Sequence, residues 1–301
     1  MRIMGNTLDY NRYLSQIDNL VDRCKLFLKK HKYSITDKLA CNYAIQSLYS
    51  DTVAMGKSMT YPFEYDFVDF LGDNDYSKQF VTKLLNTGTG QCHSMPLLYL
   101  ILAHELNTDA YLVLAPAHSY IKYPIGNTLC GFECTCGQQT NDKFMTGSGY
   151  ISSMAILNKI YLTPQTPLET IAQCLVDLSN QYALTYGYND FVFVCCKTVL
   201  HFNPQCISAL QNIANAGTAF CANEAAKYNN PPLSEYGKHP DLKERFDDMV
   251  NLQLQIDNTG YVRIPKEQYS KWLESANSEE QKKVQAQLKN KLHSYLENKS
   301  Q

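Results

Sequence analysis

Gly88-Thr89-Gly90-Gln91-Cys92-His93-Ser94-Met95-Pro96 runs into Leu97-Leu98-Tyr99-Leu100-Ile101-Leu102-Ala103-His104-Glu105-Leu106, and the reading of this stretch decides the rest. A glycine-punctuated loop delivers one cysteine to the start of a strongly apolar helix. Pro96 is tolerated there because it falls in the first turn, where no intrahelical N–H is required. Backbone N–H groups and the positive end of the helix dipole stabilise a thiolate at such a position, and can also hold a developing oxyanion. Cys92 is therefore the candidate nucleophile.

Working outward, two residues complete a chemically competent set. His118 follows in Val113-Leu114-Ala115-Pro116-Ala117-His118-Ser119-Tyr120, and Glu133 in Leu129-Cys130-Gly131-Phe132-Glu133-Cys134-Thr135. From residue 110 the pattern shortens to strands at 110–115, 119–123 and 128–135, punctuated by Pro116, Pro124 and Gly126-Asn127. A hairpin turn at 124–127 would set His118 and Glu133 side by side across an antiparallel pair, with the cysteine helix packed on that sheet. His93 should point about 100° around the helix from Cys92, which makes it a wall of the cleft rather than a base. Gln91 is a candidate second oxyanion donor by position.

Before this core, residues 9–30 carry apolar side chains at helical spacing, and a second helix runs from Thr36-Asp37 towards Met55. Another is expected at about 76–85. After it, 137–149 reads as a polar, mobile loop beside the site. From 163 the chain becomes helical, with helices expected at 167–186, 189–202, 205–228, 240–256, 266–275 and 278–297. The expected fold class is α+β, divided into 1–162 and an all-helical 163–301.

Composition narrows the function. The 301 residues are 45% hydrophobic and 19% charged, with a net charge of −2, so neither nucleic acid nor an anionic membrane is a default partner. No segment approaches the roughly 18 uninterrupted apolar residues of a membrane helix. The N-terminus lacks the apolar core of a signal peptide. The 22 tyrosines fit aromatic packing and a polar groove equally well. Eleven cysteines, odd in number and scattered singly through helical patterns, read as small buried hydrophobes in a reducing compartment. A cytoplasmic location follows; a periplasmic or secreted one would require a leader since removed. Cys130, Cys134 and Cys136 have no common zinc spacing and no obvious fourth ligand. His104-Glu105 lacks the second histidine of a zinc protease. No metal and no cofactor is expected.

Gly90-Gln91-Cys92 at a helix start, Pro116-Ala117-His118 with a following aromatic, and Phe132-Glu133 one strand later resemble the transglutaminase-like superfamily, whose fold is related to papain-like cysteine peptidases. The match spans about Asp75 to Glu133, roughly a fifth of the chain. Asn203-Pro204, closing one helix before the next, resembles the join between tetratricopeptide repeats. Transglutaminase-like domains followed by such helices are a known bacterial combination. Glu133 stands where the family usually has aspartate. The short segment between Cys92 and His118 leaves little room for the calcium sites of the large transglutaminases.

The resemblance implies a papain/transglutaminase-like core with tetratricopeptide-like helices after it. Cys92 would be the nucleophile, His118 the proton carrier and Glu133 the group that fixes the imidazole. Two functional classes stay open. One is a cysteine hydrolase or peptidase acting on a peptide or other amide, with transamidation as a variant. The other is a non-catalytic scaffold whose C-terminal helices hold a protein or peptide partner.

Overall fold

A computed structural model describes residues 9–50, 53–55, 58–60, 63–70 and 72–275, with the single residues 287, 290 and 294. The fold is mixed α+β and divides into two compact units. The first comprises 1–150 with 263–301, the second 151–262.

The first unit opens with two helices. Helix α1 (Tyr10–Lys30) is started by Asp9, whose side chain accepts from the Arg12 N–H, and it buries Ile17, Leu20, Val21, Cys24, Phe27 and Leu28 along one stripe. Helix α2 (Lys38–Ser50) is buried almost all round. It ends at Ser50 rather than near Met55, because the chain turns into a small antiparallel pair, β1 (Val53–Met55) with β2 (Ser58–Thr60). A two-residue strand β3 (Glu64–Tyr65), helix α3 (Val81–Thr87) and strand β4 (Thr89–Gly90) lead to helix α4 (Ser94–Glu105). β3 and β4 pair in parallel, Tyr65 opposite Gly90.

A four-stranded antiparallel sheet follows, in the order β5 (Tyr111–Ala115), β6 (His118–Ile125), β7 (Thr128–Glu133), β8 (Gln138–Thr140). Two-residue turns join its first three strands, since Ala115 pairs with His118 and Ile125 with Thr128. Gly126 supplies the positive φ of the second turn, at 58°. Met95, Leu98, Tyr99 and Leu102 of α4 form one core with Ile121, Tyr123 and Phe132 of the sheet, and α1 and α2 close around it. Through this core runs a chain of buried hydrogen bonds. Tyr99 Oη donates to Asn42 Oδ1 (2.9 Å), Gln46 Nε2 to Tyr99 Oη (3.2 Å), Gln139 Nε2 to Gln46 Oε1 (2.8 Å) and Tyr123 Oη to Gln139 Oε1 (2.6 Å). It ties α2, α4 and the sheet in one register.

The segment expected as a mobile loop, 137–149, is ordered instead. Its polar residues make β8 through backbone pairing, and then helix α5 (Asp142–Thr146), started by Asn141, whose side chain accepts from the Phe144 N–H. Polarity misled here because β8 is an edge strand whose side chains serve hydrogen bonds rather than a core.

The second unit is helical. It holds α6 (Ser153–Leu157), α7 (Pro167–Tyr186), α8 (Asp190–Phe202), α9 (Ile207–Lys227) and α10 (Pro240–Asn258). Thr166 and Glu169 form a reciprocal capping box on α7, and Pro167 takes its first position. Consecutive helices from α7 to α10 pack on one another, mainly through Ala172, Val176, Cys196, Val199, Ala209 and Ile213, with Leu210, Ala214 and Ile256 further along.

The chain then returns. Helix α11 (Lys266–Ser275) belongs to the first unit, so the helical stretch is not one unbroken region from 163 to 301 as the sequence reading had it. The cause is aromatic burial: Tyr269 is fully buried and Trp272 nearly so, both among side chains of the first unit. Of the helix expected at 278–297 only residues 287, 290 and 294 are described, and those three are helical; the rest lies outside the described residues.

Candidate active site

The loop before α4 is built from local constraints. Gly88, at φ 75°, ends α3 with its N–H on the Leu84 carbonyl. A Cβ on Gly90 would lie 2.9 Å from both Met95 Cγ and Ser94 Oγ, so only glycine lets the loop lie this close to the helix. Ser94 Oγ accepts from the Gln91 N–H at 2.8 Å, and Cys92 and His93 form the turn into α4. The thiol thus sits just before the N-cap His93, two residues ahead of the first helical residue, Ser94, in reach of the positive end of the helix.

His118 is placed by the tight turn at Pro116-Ala117. Ala117 adopts a left-handed φ of 54°, a costly conformation for a residue with a Cβ. Its carbonyl faces the Cys92 Sγ at 3.7 Å, and the Ser119 hydroxyl donates to the Cys92 carbonyl. These contacts tie the Cys92 backbone to the strand that carries His118. One step past the last paired residues, Ile121 and Phe132, Glu133 falls across from Tyr120 and shares its face with His118. His118 Nε2 and Glu133 Oε2 are 2.6 Å apart. The other carboxylate oxygen accepts from the Thr135 N–H (3.1 Å) and Oγ1 (2.8 Å), which fixes the carboxylate plane.

Cys92, His118 and Glu133 are each 3% exposed or less. Burial by itself raises a thiol pKa, but the hydrogen bond to His118, the charges of His93 and His118 and a hydrogen bond to Tyr269 bring Cys92 below its ordinary value. Burial likewise lowers an imidazole, yet the Glu133 charge and the hydrogen bonds to Cys92 and Glu133 raise His118 to about 10. Both directions favour one charge state, a thiolate beside an imidazolium. Burial pushes Cys24, Cys41, Cys134, Cys136 and Cys206 the other way, up.

Two residues of the site come from a segment the sequence reading assigned elsewhere. Tyr269 Oη lies 3.0 Å from His118 Nδ1, and its ring stacks on Phe70 at 5.5 Å. Trp272 meets the His118 ring edge-on at 5.3 Å, stacks on Phe144 and donates its indole N–H to the Phe144 carbonyl. The signal available was the aromatic pair one helical turn apart, with Leu273 beside it, on a mostly polar helix that also carries the chain's one tryptophan.

Gln91 is not where an oxyanion donor would be. Its amide donates to the Asp66 (2.8 Å) and Asp69 (3.0 Å) carbonyls, so it fastens the 66–69 loop and has no N–H left to offer. His93 is half-buried and near enough to bear on the Cys92 charge. Among the described residues no group of three His, Cys, Asp or Glu side chains could hold a metal ion, and no helix is long and apolar enough to cross a membrane. All eleven cysteines are free thiols.

Comparison with known proteins finds no matching family model, curated protein or solved structure. Function is therefore argued from the geometry.

Proposed function

We propose that the first unit is a transglutaminase-like cysteine hydrolase, with a papain-like arrangement of helix and sheet, that cleaves an amide bond through a thioester on Cys92. The observation that carries this reading is the position of His118: its Nε2 is 2.6 Å from Glu133 Oε2 and its ring is near enough to Cys92 for each to move the other's pKa, with the thiol lowered and the imidazole raised. The Cys92 thiolate attacks the carbonyl carbon, and the Cys92 N–H at the head of α4 supports the resulting oxyanion. The C–N bond breaks as His118 gives its proton to the departing amine. Water, or an amine in the transamidation variant, then attacks the thioester while His118 takes a proton from it, and the C–S bond breaks to release the acid or new amide and return the Cys92 thiolate. Glu133 holds the ring orientation and stabilises its charge throughout.

A second reading has an observation in its favour. Cys92 and His118 are each only 2% exposed. In that reading the triad is a buried remnant, and the tetratricopeptide-like helices of the second unit hold a protein or peptide partner.

The pH profile of Cys92 alkylation by iodoacetamide, read by peptide mass spectrometry, separates the two. A thiolate–imidazolium pair gives labelling that persists well below an ordinary thiol pKa of about 8.5, and His118→Ala moves the midpoint up to that value. A wild-type midpoint near 8.5 would leave the scaffold reading.

A further inference from the structure

A nucleophile that acts on an external amide must be reached by it, and in the described structure Cys92 and His118 are each 2% exposed, with two aromatic side chains of α11 against the His118 ring. That helix buries little else. Of its ten residues only Tyr269 and Trp272 are buried, and they are the two that touch His118. Tyr269 lies between the Phe70 ring and the imidazole; Trp272 lies between the imidazole edge and the Phe144 ring. Beyond them, Leu273 is partly buried against the core of the first unit, and at the surface Lys266 Nζ is 2.9 Å from Asp73 Oδ2, both about half exposed, and lies over the Phe70 ring at 5.3 Å. Pairs of that kind are weak and easily broken. The His118–Glu133 contact, by contrast, is made within the sheet, between β6 and β7, and needs nothing from α11.

We infer that α11 is a built-in occupant of the substrate cleft that keeps Cys92 covered, and that the cleft's complementary ligand is a peptide segment presenting two aromatic side chains one helical turn apart. The inference rests on Cys92 being the nucleophile, and it extends that reading to what the cleft holds. Phe70 and Phe144 form the walls against which the two aromatics stack, and the Tyr269 hydroxyl occupies the imidazole nitrogen that Glu133 leaves open. Release of α11 exposes that nitrogen, the thiol and both walls together.

The test uses the full chain and the second-order rate of Cys92 alkylation by iodoacetamide, with Cys24 of the fully buried core as an internal control. Wild type should label slowly. Tyr269→Ala combined with Trp272→Ala should raise the Cys92 rate tenfold or more with Cys24 still protected. Lys266→Glu, which keeps both aromatics and sets like charges against Asp73, should raise it two- to fivefold and increase acrylamide quenching of Trp272, the one tryptophan. A synthetic peptide of residues 263–275 should restore protection to the double variant, and the same peptide with alanine at both aromatic positions should not. Rates within twofold of wild type in Lys266→Glu and in a folded double variant overturn the inference, as does failure of the wild-type peptide to protect. If the double variant exposes Cys24, the Lys266→Glu arm decides. A cover without a catalytic pair would show as faster labelling in the variants with a midpoint still near 8.5. An absent cover would show as unchanged rates at any midpoint.

Discussion

The Tyr269 hydroxyl stands 3.0 Å from His118 Nδ1, on the opposite side of the imidazole from Glu133. With the ring doubly protonated, Nδ1–H donates to the phenol oxygen and the phenol O–H is free to donate to the Cys92 thiolate. That sense agrees with the Tyr269 contribution, which lowers the Cys92 pKa. Tyr269→Phe should therefore raise the pH midpoint of Cys92 alkylation, by less than His118→Ala does. An unchanged midpoint would show that the phenol covers the pair without polarising it.

The pair should also define a pH window. Cys92 is held below its ordinary value, so thiolate is present from that lowered pKa upward; His118 stays charged until the pH rises through about 10. In a variant with α11 released, amide turnover should follow a bell with its alkaline limb near pH 10. An alkaline limb near 6.5, the ordinary imidazole value, would mean that Glu133 does not hold the charge.

Glu133→Gln removes the leading favourable influence on the imidazolium. A group whose folded pKa is raised contributes stability that is complete below its unfolded value and disappears as the pH passes its folded value. The loss of Tm in Glu133→Gln should accordingly be largest near pH 6.5 and should close towards pH 10. Thermal melts of both proteins across that range check the slope. A gap that widens with pH would contradict the assignment.

Gln91→Ala leaves the Asp66 and Asp69 carbonyls without their donor and opens the loop that carries Phe70. The expected cost is about 1–3 kcal/mol by urea unfolding, with faster alkylation of Cys92 because Phe70 backs Tyr269. A donor to the oxyanion, in contrast, would lower turnover without moving stability.

Tyr99→Phe breaks the hydrogen-bond chain between α2, α4 and the sheet, stranding Asn42 Oδ1. It should cost about 1–3 kcal/mol, measured by urea unfolding, far from the thiol and without shifting its pH midpoint.

Much of this was legible in the chain because it depends on local chemistry. The helices of the second unit follow from caps such as Thr166-Pro167 and Asn189, which act within one turn and leave a residue-level mark. The hairpin between β6 and β7 follows from Gly126, and it alone puts His118 and Glu133 on one face. What was not legible is long-range. The pairing of Tyr269 with His118 spans 151 residues and has no local signature, because an amphipathic helix announces that it will be buried but not against what. Gln91 failed as an oxyanion donor for the same reason: two carbonyls more than twenty residues earlier in the chain claim its amide.

The order of the chain gives the cover a consequence in time. Cys92, His118 and Glu133 all precede the second unit, and α11 follows it, so a growing chain acquires the triad long before it acquires Tyr269. At about 5–20 residues per second, the 151 residues between His118 and Tyr269 take on the order of ten seconds to synthesise. For that interval the sheet and α4 can fold around a thiol with nothing over it. On the proposed reading the nascent protein is then the most exposed form of its reactive centre, and ribosome stalling within the second unit would prolong that state.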